Sequence, residues 1–154
     1  MKHFWRLLFN LAIILAFVSV SYFVLSHFEK SLSPAKIKSI NIAGQNVKVD
    51  LAITVDEQTR GLSGRQNMSD NTGMLFVFNK PEKYLFWMKD MNFPLDIIWI
   101  GEDMKVVYIK ENALPELYPE TYRPTAPSKY VLEVPSGFST KNNLKVGDSV
   151  SFTY

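Results

Sequence analysis

Six side chains in this 154-residue sequence have the type and setting to do chemistry: Arg65, Trp87, Lys89, Asp90, Asp96 and Glu133. Asp96 lies in Leu95-Asp-Ile-Ile-Trp-Ile100, where alternation puts it on a face with Ile98 and Ile100 and leaves Leu95, Ile97 and Trp99 on the other. With both faces apolar, its carboxylate is expected to be at least partly buried. It must then be paired, hydrogen-bonded or protonated. The functional reading is a ligand-binding or acid–base carboxylate. The plain one is an ion pair with Arg65 or a cap on turn amides near Pro94. Glu133 sits in Tyr130-Val-Leu-Glu-Val134 and shares its face with Lys129 and Val131, so a solvated or lysine-paired strand residue is the plain alternative to a pocket role. Together, Asp96 and Glu133 could form a catalytic pair of the kind used in glycoside hydrolysis.

The other candidates point to binding. Arg65 follows the turn Gly61-Leu-Ser-Gly64 and could grip an anion in bidentate fashion, or tie the turn to Asp96 or Glu133. Trp87 could stack on a planar or sugar ligand, or fill the core. Lys89 could act as a base if buried, but its neighbour Asp90 suits a solvated strand end.

Much chemistry is excluded by composition. There is no cysteine, which removes thiolate nucleophiles, disulfides and Cys-based metal sites. The two histidines, His3 and His27, flank an N-terminal apolar run, so the remaining domain has neither imidazole catalysis nor histidine metal ligands. No EF-hand or phosphate-loop spacing occurs, and no metal or cofactor is expected. Without Lys2 and Arg6, the 17 basic residues fall to 15, equal to the 15 acidic ones. A neutral domain lacks the footprint of a nucleic-acid binder.

The elements that must position these residues are short. From Gly73 to Ile100 the chain is apolar and aromatic, cut by turn signals at Asn79-Lys-Pro81 and at Asp90-Met-Asn-Phe-Pro94. Strands are predicted at 36–42, 46–55, 105–110, 130–134 and 149–154. Short helical turns are predicted at 56–62, capped by Asp56, and at 138–143. The segment from Glu111 to Ser128 carries four prolines and reads as a long loop, often a functional feature. Six to eight strands with one or two short helices predict a mainly β domain, a compact small barrel or sandwich.

Ahead of it, residues 1–28 hold a basic start and an apolar run from Leu7 to Leu25, about the 20 residues that span a bilayer as a helix. The run exceeds the roughly 7–15 residues of a cleaved signal's apolar region. The expected layout is a single transmembrane anchor (1–28), a linker (29–35) and a β domain (36–154) held in the periplasm or outside the cell.

Gly61-Leu62-x-x-Arg65, Gly73-Met74-Leu75-Phe76, Phe86-Trp87-Met88-Lys89, Pro94-Leu95-Asp96 and Leu132-Glu133-x-Pro135-x-Gly137 occur in that order. This pattern, over roughly Lys48 to Phe152, resembles the DUF192 family, also called UPF0127. The resemblance implies a compact, mostly β barrel-like domain, often behind a signal or anchor, with no established activity. Two positions depart from it: Ser63 stands where the family usually has methionine, and Asp90 where it usually has asparagine. A charge in place of a neutral amide would change ligand preference. The functional expectation is a membrane-tethered extracytoplasmic module that binds a small molecule, glycan or protein through Arg65, Trp87, Lys89, Asp90 and Asp96. The alternative is a carboxylate- or lysine-dependent hydrolase of envelope glycan.

Overall fold

A computed structural model describes residues 2–31 and 34–154. The chain divides into two compact units, 1–36 and 37–154. The first is dominated by helix α1, Lys2–Ser31, followed by a 3-10 turn at Pro34–Lys36. Among the described residues no helix is long and apolar enough to cross a membrane. The side chains of Leu7 and Leu25, the ends of the expected span, lie outside the described ones, as do linker residues 32 and 33.

The second unit is mainly β. Its strands are β1 (Ser39–Ile42), β2 (Gln45–Ala52), β3 (Thr72–Glu82), β4 (Phe86–Trp87), β5 (Leu95–Ile100), β6 (Val106–Ala113), β7 (Thr121–Tyr122), β8 (Ser128–Pro135) and β9 (Ser151–Thr153). Helices α2 (Val55–Arg60) and α3 (Phe138–Lys141) are single short turns between strands. Seven strands form one sheet in the order β6-β5-β8-β3-β2-β1-β9, and β4 pairs with β7 in a separate ribbon. Neighbours are antiparallel apart from the parallel pair β2–β3, whose connection carries α2.

The sheet curls until the chain ahead of β9 meets the start of β6 at its opposite edge. The Val106 N–H donates to Asp148 O at 2.9 Å, Gly147 N–H to Val106 O at 2.8 Å and Val150 N–H to Met104 O at 2.9 Å. A half-barrel stitched at one end results. It is closer to the barrel than to the sandwich expectation.

Two apolar clusters lie on opposite faces of the sheet, which explains why all six residues of β5 are buried. Ile40, Leu75, Ile98, Leu132 and Val134 fill the first, with Phe138 of α3. Met74, Phe76, Ile97, Trp99 and Val131 belong to the second, with Leu62 and Met88 from the cover. Because side chains alternate along a strand, Leu75 and Phe76 serve different clusters, as do Val131 and Leu132. Gly73 marks where the strands pack tightest: a Cβ there would stand 2.7 Å from the Glu133 carbonyl oxygen.

Several element ends differ from the sequence expectation. β2 stops at Ala52, because Thr54 caps α2 in place of Asp56. The Thr54 hydroxyl accepts from the Glu57 N–H at 3.3 Å and the Glu57 carboxylate accepts from the Thr54 N–H at 2.9 Å, a reciprocal capping box. β6 runs on to Ala113 and pairs it with Leu95, shortening the loop, which then holds a 3-10 turn at Pro115–Leu117 and strand β7. Nine strands thus form among the described residues, against the six to eight expected.

Candidate functional site

Glu133 lies in β8 between Met74 of β3 and Ile97 of β5, in the middle of the sheet. Its neighbours Leu132 and Val134 enter the first cluster, so Glu133 faces the second, where Met74 and Ile97 are also found. That face is covered by two segments distant in sequence, the turn after α2 and the segment around β4. Three hydrogen bonds stitch them together. The Gly64 N–H donates to Asp90 O at 2.8 Å, the Ser63 hydroxyl to Lys89 O at 2.9 Å and the Asn92 side-chain amide to Arg65 O at 2.8 Å. Gly61 starts the turn with a positive φ of 50° and stacks closely on Phe76, leaving no easy room for a side chain.

The cover is incomplete between α2 and β4, where a cleft of about 280 Å³ opens. Phe76, Phe86, Leu85 and Trp87 wall it, Glu133 closes its inner end, and Lys89 and Arg60 also line it. Phe86 is fixed edge-on between Phe76 at 4.9 Å and Trp99 at 5.6 Å, a favourable geometry for aromatic quadrupoles. Trp87 beside it is 49% exposed.

Only 5% of Glu133 is exposed, and its Oε2 has no hydrogen-bond partner among the described residues. Burial pushes its carboxyl up to about 8, with the positive charge of Arg65 opposing only in part. At neutral pH the group is therefore a protonated acid that can donate a hydrogen bond into the cleft, with a proton affinity near that suited to acid–base work. A buried, unpaired titratable group in a cleft with aromatic walls combines the marks of a binding or active site.

The comparisons with known proteins agree with this frame. Residues 38–152 match the model of a family described as uncharacterized ACR, DUF192. The chain belongs to the DUF192 family. The DUF192 domain is similar to a protein of unknown function from Novosphingobium aromaticivorans, with 32% identity and a TM-score of 0.71 over 77% of this chain and 89% of that one. It is also similar to a protein from Sinorhizobium meliloti provisionally described as a transcription regulator, with 29% identity and a TM-score of 0.69 over 74% of this chain and 90% of that one. No curated protein matches it.

Of the six residues singled out by sequence, the DUF192 domain brings Trp87, Lys89 and Glu133 together in the cleft. Asp96 is elsewhere. It shares the face of Ile98 and Ile100 and is fully buried, accepting from the N–H groups of Asn112 (2.9 Å), Gly137 (3.2 Å) and Ser139 (2.8 Å). It thus fastens the start of α3 and the end of β6, the turn-amide role, with Arg65 uninvolved. Arg65 instead meets Asp50 at 2.8 Å, both side chains being well exposed. Asp90 is exposed and has a positive φ of 55°, a conformation that asparagine and aspartate tolerate best among residues with a side chain. Either residue meets that backbone need, so the departure from asparagine needs no ligand to explain it.

The expectation that Glu133 is solvated or lysine-paired is overturned: Lys129 pairs with Glu102, and Glu133 is buried at the inner end of the cleft. Arg60 and Phe86 were not among the candidate site residues, Phe86 entering only through the motif Phe86-Trp87-Met88-Lys89. Nothing in the local pattern of Asp-Glu-Gln-Thr-Arg60 tells which way the arginine lies. Among the described residues no cluster of three or more acidic, histidine or cysteine side chains is placed to hold a metal.

Proposed function

We propose that the DUF192 domain is a binding module that takes a small ligand into the Glu133 cleft. The observation that carries this reading is the unpartnered, buried Glu133 carboxyl at the inner end of an aromatic cavity. Burying a polar group without a partner costs about 1–3 kcal/mol, and a ligand acceptor within reach of Glu133 would offset it. Trp87, half exposed beside Phe86, gives a flat ring a surface to stack on. The hydrolase alternative has less in its favour, because Asp96 and Glu133 occupy opposite faces of the sheet and only Glu133 reaches the cleft.

Tethering by α1 to a membrane, with the domain in the periplasm or outside the cell, belongs to the same proposal and rests on the apolar run Leu7–Leu25. Alkaline extraction of membranes tests the tether: the full chain should stay in the pellet, and a chain lacking residues 1–31 should be released. Release of both would refute it. For the cleft, a fragment library is screened by NMR against the full chain. Hits should perturb Glu133, Trp87 and Phe86 together and vanish in Trp87→Ala. Hits that cluster elsewhere, or that survive that change, overturn the reading.

A further inference from the structure

We propose that the Glu133 cleft selects ligands bearing a carboxylate on a single ring system, with Arg60 and Lys89 receiving the carboxylate and Glu133 the opposite end of the ring. The proposal rests on the binding reading above and adds the ligand's chemistry.

The polar groups of the cleft divide into committed and free ones. The Gln58 side-chain amide donates to Val77 O at 2.8 Å, the Thr59 hydroxyl to Val55 O at 2.8 Å and the Ser63 hydroxyl to Lys89 O at 2.9 Å. The Tyr84 hydroxyl is likewise spent on Lys80 O at 2.8 Å. These groups hold the walls and have no donor left for a ligand. Arg60 and Lys89 are different: neither side chain makes an ion pair or hydrogen bond with another described residue, and both are exposed at the cleft. Glu57, three residues before Arg60 on α2, acts on it through space without forming an ion pair, its carboxylate being held by the N–H groups of Ile53 and Thr54. Glu133 is the sole acidic residue lining the cavity, and it is uncharged at neutral pH.

The lining itself therefore presents two positive charges that no acid within it answers, with Glu57 acting on Arg60 only from outside the cavity, and one neutral donor. A cationic ligand is repelled and a neutral one leaves both charges unanswered. A carboxylate answers them, with Arg60 able to engage it in bidentate fashion. Size fixes the rest. Ligand pockets usually span about 300–1,000 Å³, so this one at about 280 Å³ suits one ring system. Phe86 and Trp87 offer aromatic faces to it, and a hydroxyl or carbonyl oxygen at its inner edge would accept from Glu133. A sugar acid and an aromatic acid share that chemistry.

Calorimetric titration of the full chain at pH 6.5 separates them, using galacturonate against galactose and indole-3-acetate against indole-3-acetamide. In at least one pair the acid should bind ten-fold or more tightly than its neutral partner, and the pair that does so names the source. The double variant Arg60→Ala, Lys89→Ala should bring the acid down to its neutral partner and leave the neutral one unchanged. Equal binding of acid and neutral overturns the charge selection while leaving the cleft as a binding site. Loss of both ligands alike in the double variant also overturns it. If none of the four binds at millimolar concentration the proposal fails, and the fragment screen alone then decides whether the cleft binds anything.

Discussion

The buried carboxyl of Glu133 makes a quantitative statement about stability and pH. Folding raises its pKa from 4.5 to about 8. Between those values the folded protein keeps a proton that the unfolded chain gives up. Stability from this group is therefore complete below about pH 4.5 and is lost as pH rises toward about 8. Each pH unit is worth about 1.4 kcal/mol, so three units from pH 5 to 8 amount to about 4 kcal/mol. Glu133→Gln has nearly the same shape and does not titrate. Urea unfolding at pH 5, 6, 7 and 8 measures both proteins, with near-ultraviolet circular dichroism of the fully buried Trp99 as the signal. Other carboxylates contribute equally to the two and cancel in the difference. The variant should match wild type near pH 5 and gain on it by about 1.4 kcal/mol per unit above that. In thermal scans the same 4 kcal/mol corresponds to a midpoint difference of about 15 °C at pH 8. A difference that stays flat from pH 5 to 8 refutes the reasoning, because the carboxyl then titrates near its ordinary value and is neither dry nor neutral at pH 7.

Asp96→Asn should cost about 2–3 kcal/mol in the same unfolding assay. Asparagine can keep two of the three amide donors on its carbonyl oxygen but turns an NH2 group toward the third. A neutral result would mean those amides have other partners. Arg65→Ala should cost less than about 1 kcal/mol, because its ion pair with Asp50 is exposed and screened, and a loss above 3 kcal/mol would contradict that geometry. Gly73→Ala should cost at least about 2 kcal/mol, since β3 must move away from the Glu133 carbonyl to admit a methyl group. Unchanged stability there would show that the strands separate freely.

How much was legible in the sequence depended on whether the deciding contacts were local. Asp96 is a case where they were: apolar neighbours on both sides of Leu95-Asp-Ile-Ile-Trp-Ile100 announce burial whatever the partner. The partner itself was only half legible, because its donors come from 112, 137 and 139, brought in by the end of β6 and the start of α3. Glu133 is the opposite case. Its own strand places it beside Lys129, which reads as a solvated edge, while the residues that line its cleft lie near 61 and 86. Local competition explains the cap of α2. Thr54 and Asp56 are both good capping residues, and the reciprocal bond to Glu57 favours the threonine. Asp90 could be read as a charge near a site, but its positive φ shows a backbone requirement that composition does not reveal.

Asp96 and Glu133 also show how a buried charge can be sorted into structure or function. Asp96 is fully explained by the fold: three amide donors converge on it, and two helix-start or strand-end segments depend on it. Glu133 has no such account. Its face of the sheet holds Met74, Ile97 and Val131, and a methionine or leucine in its place would bury the same volume without an unpaired polar atom. The fold would gain stability above pH 5 from that exchange, so an acid there works against folding. The cover over it comes from Gly61-Leu-Ser-Gly-Arg65 and Phe86-Trp-Met-Lys89, cross-linked by backbone and side-chain hydrogen bonds that hold the cleft's walls rigid. A rigid aromatic cleft built around a destabilising acid is what preorganised binding requires. A buried acid whose presence the fold accounts for completely says little about function; of these two acids, the one it does not account for marks where the ligand should be sought.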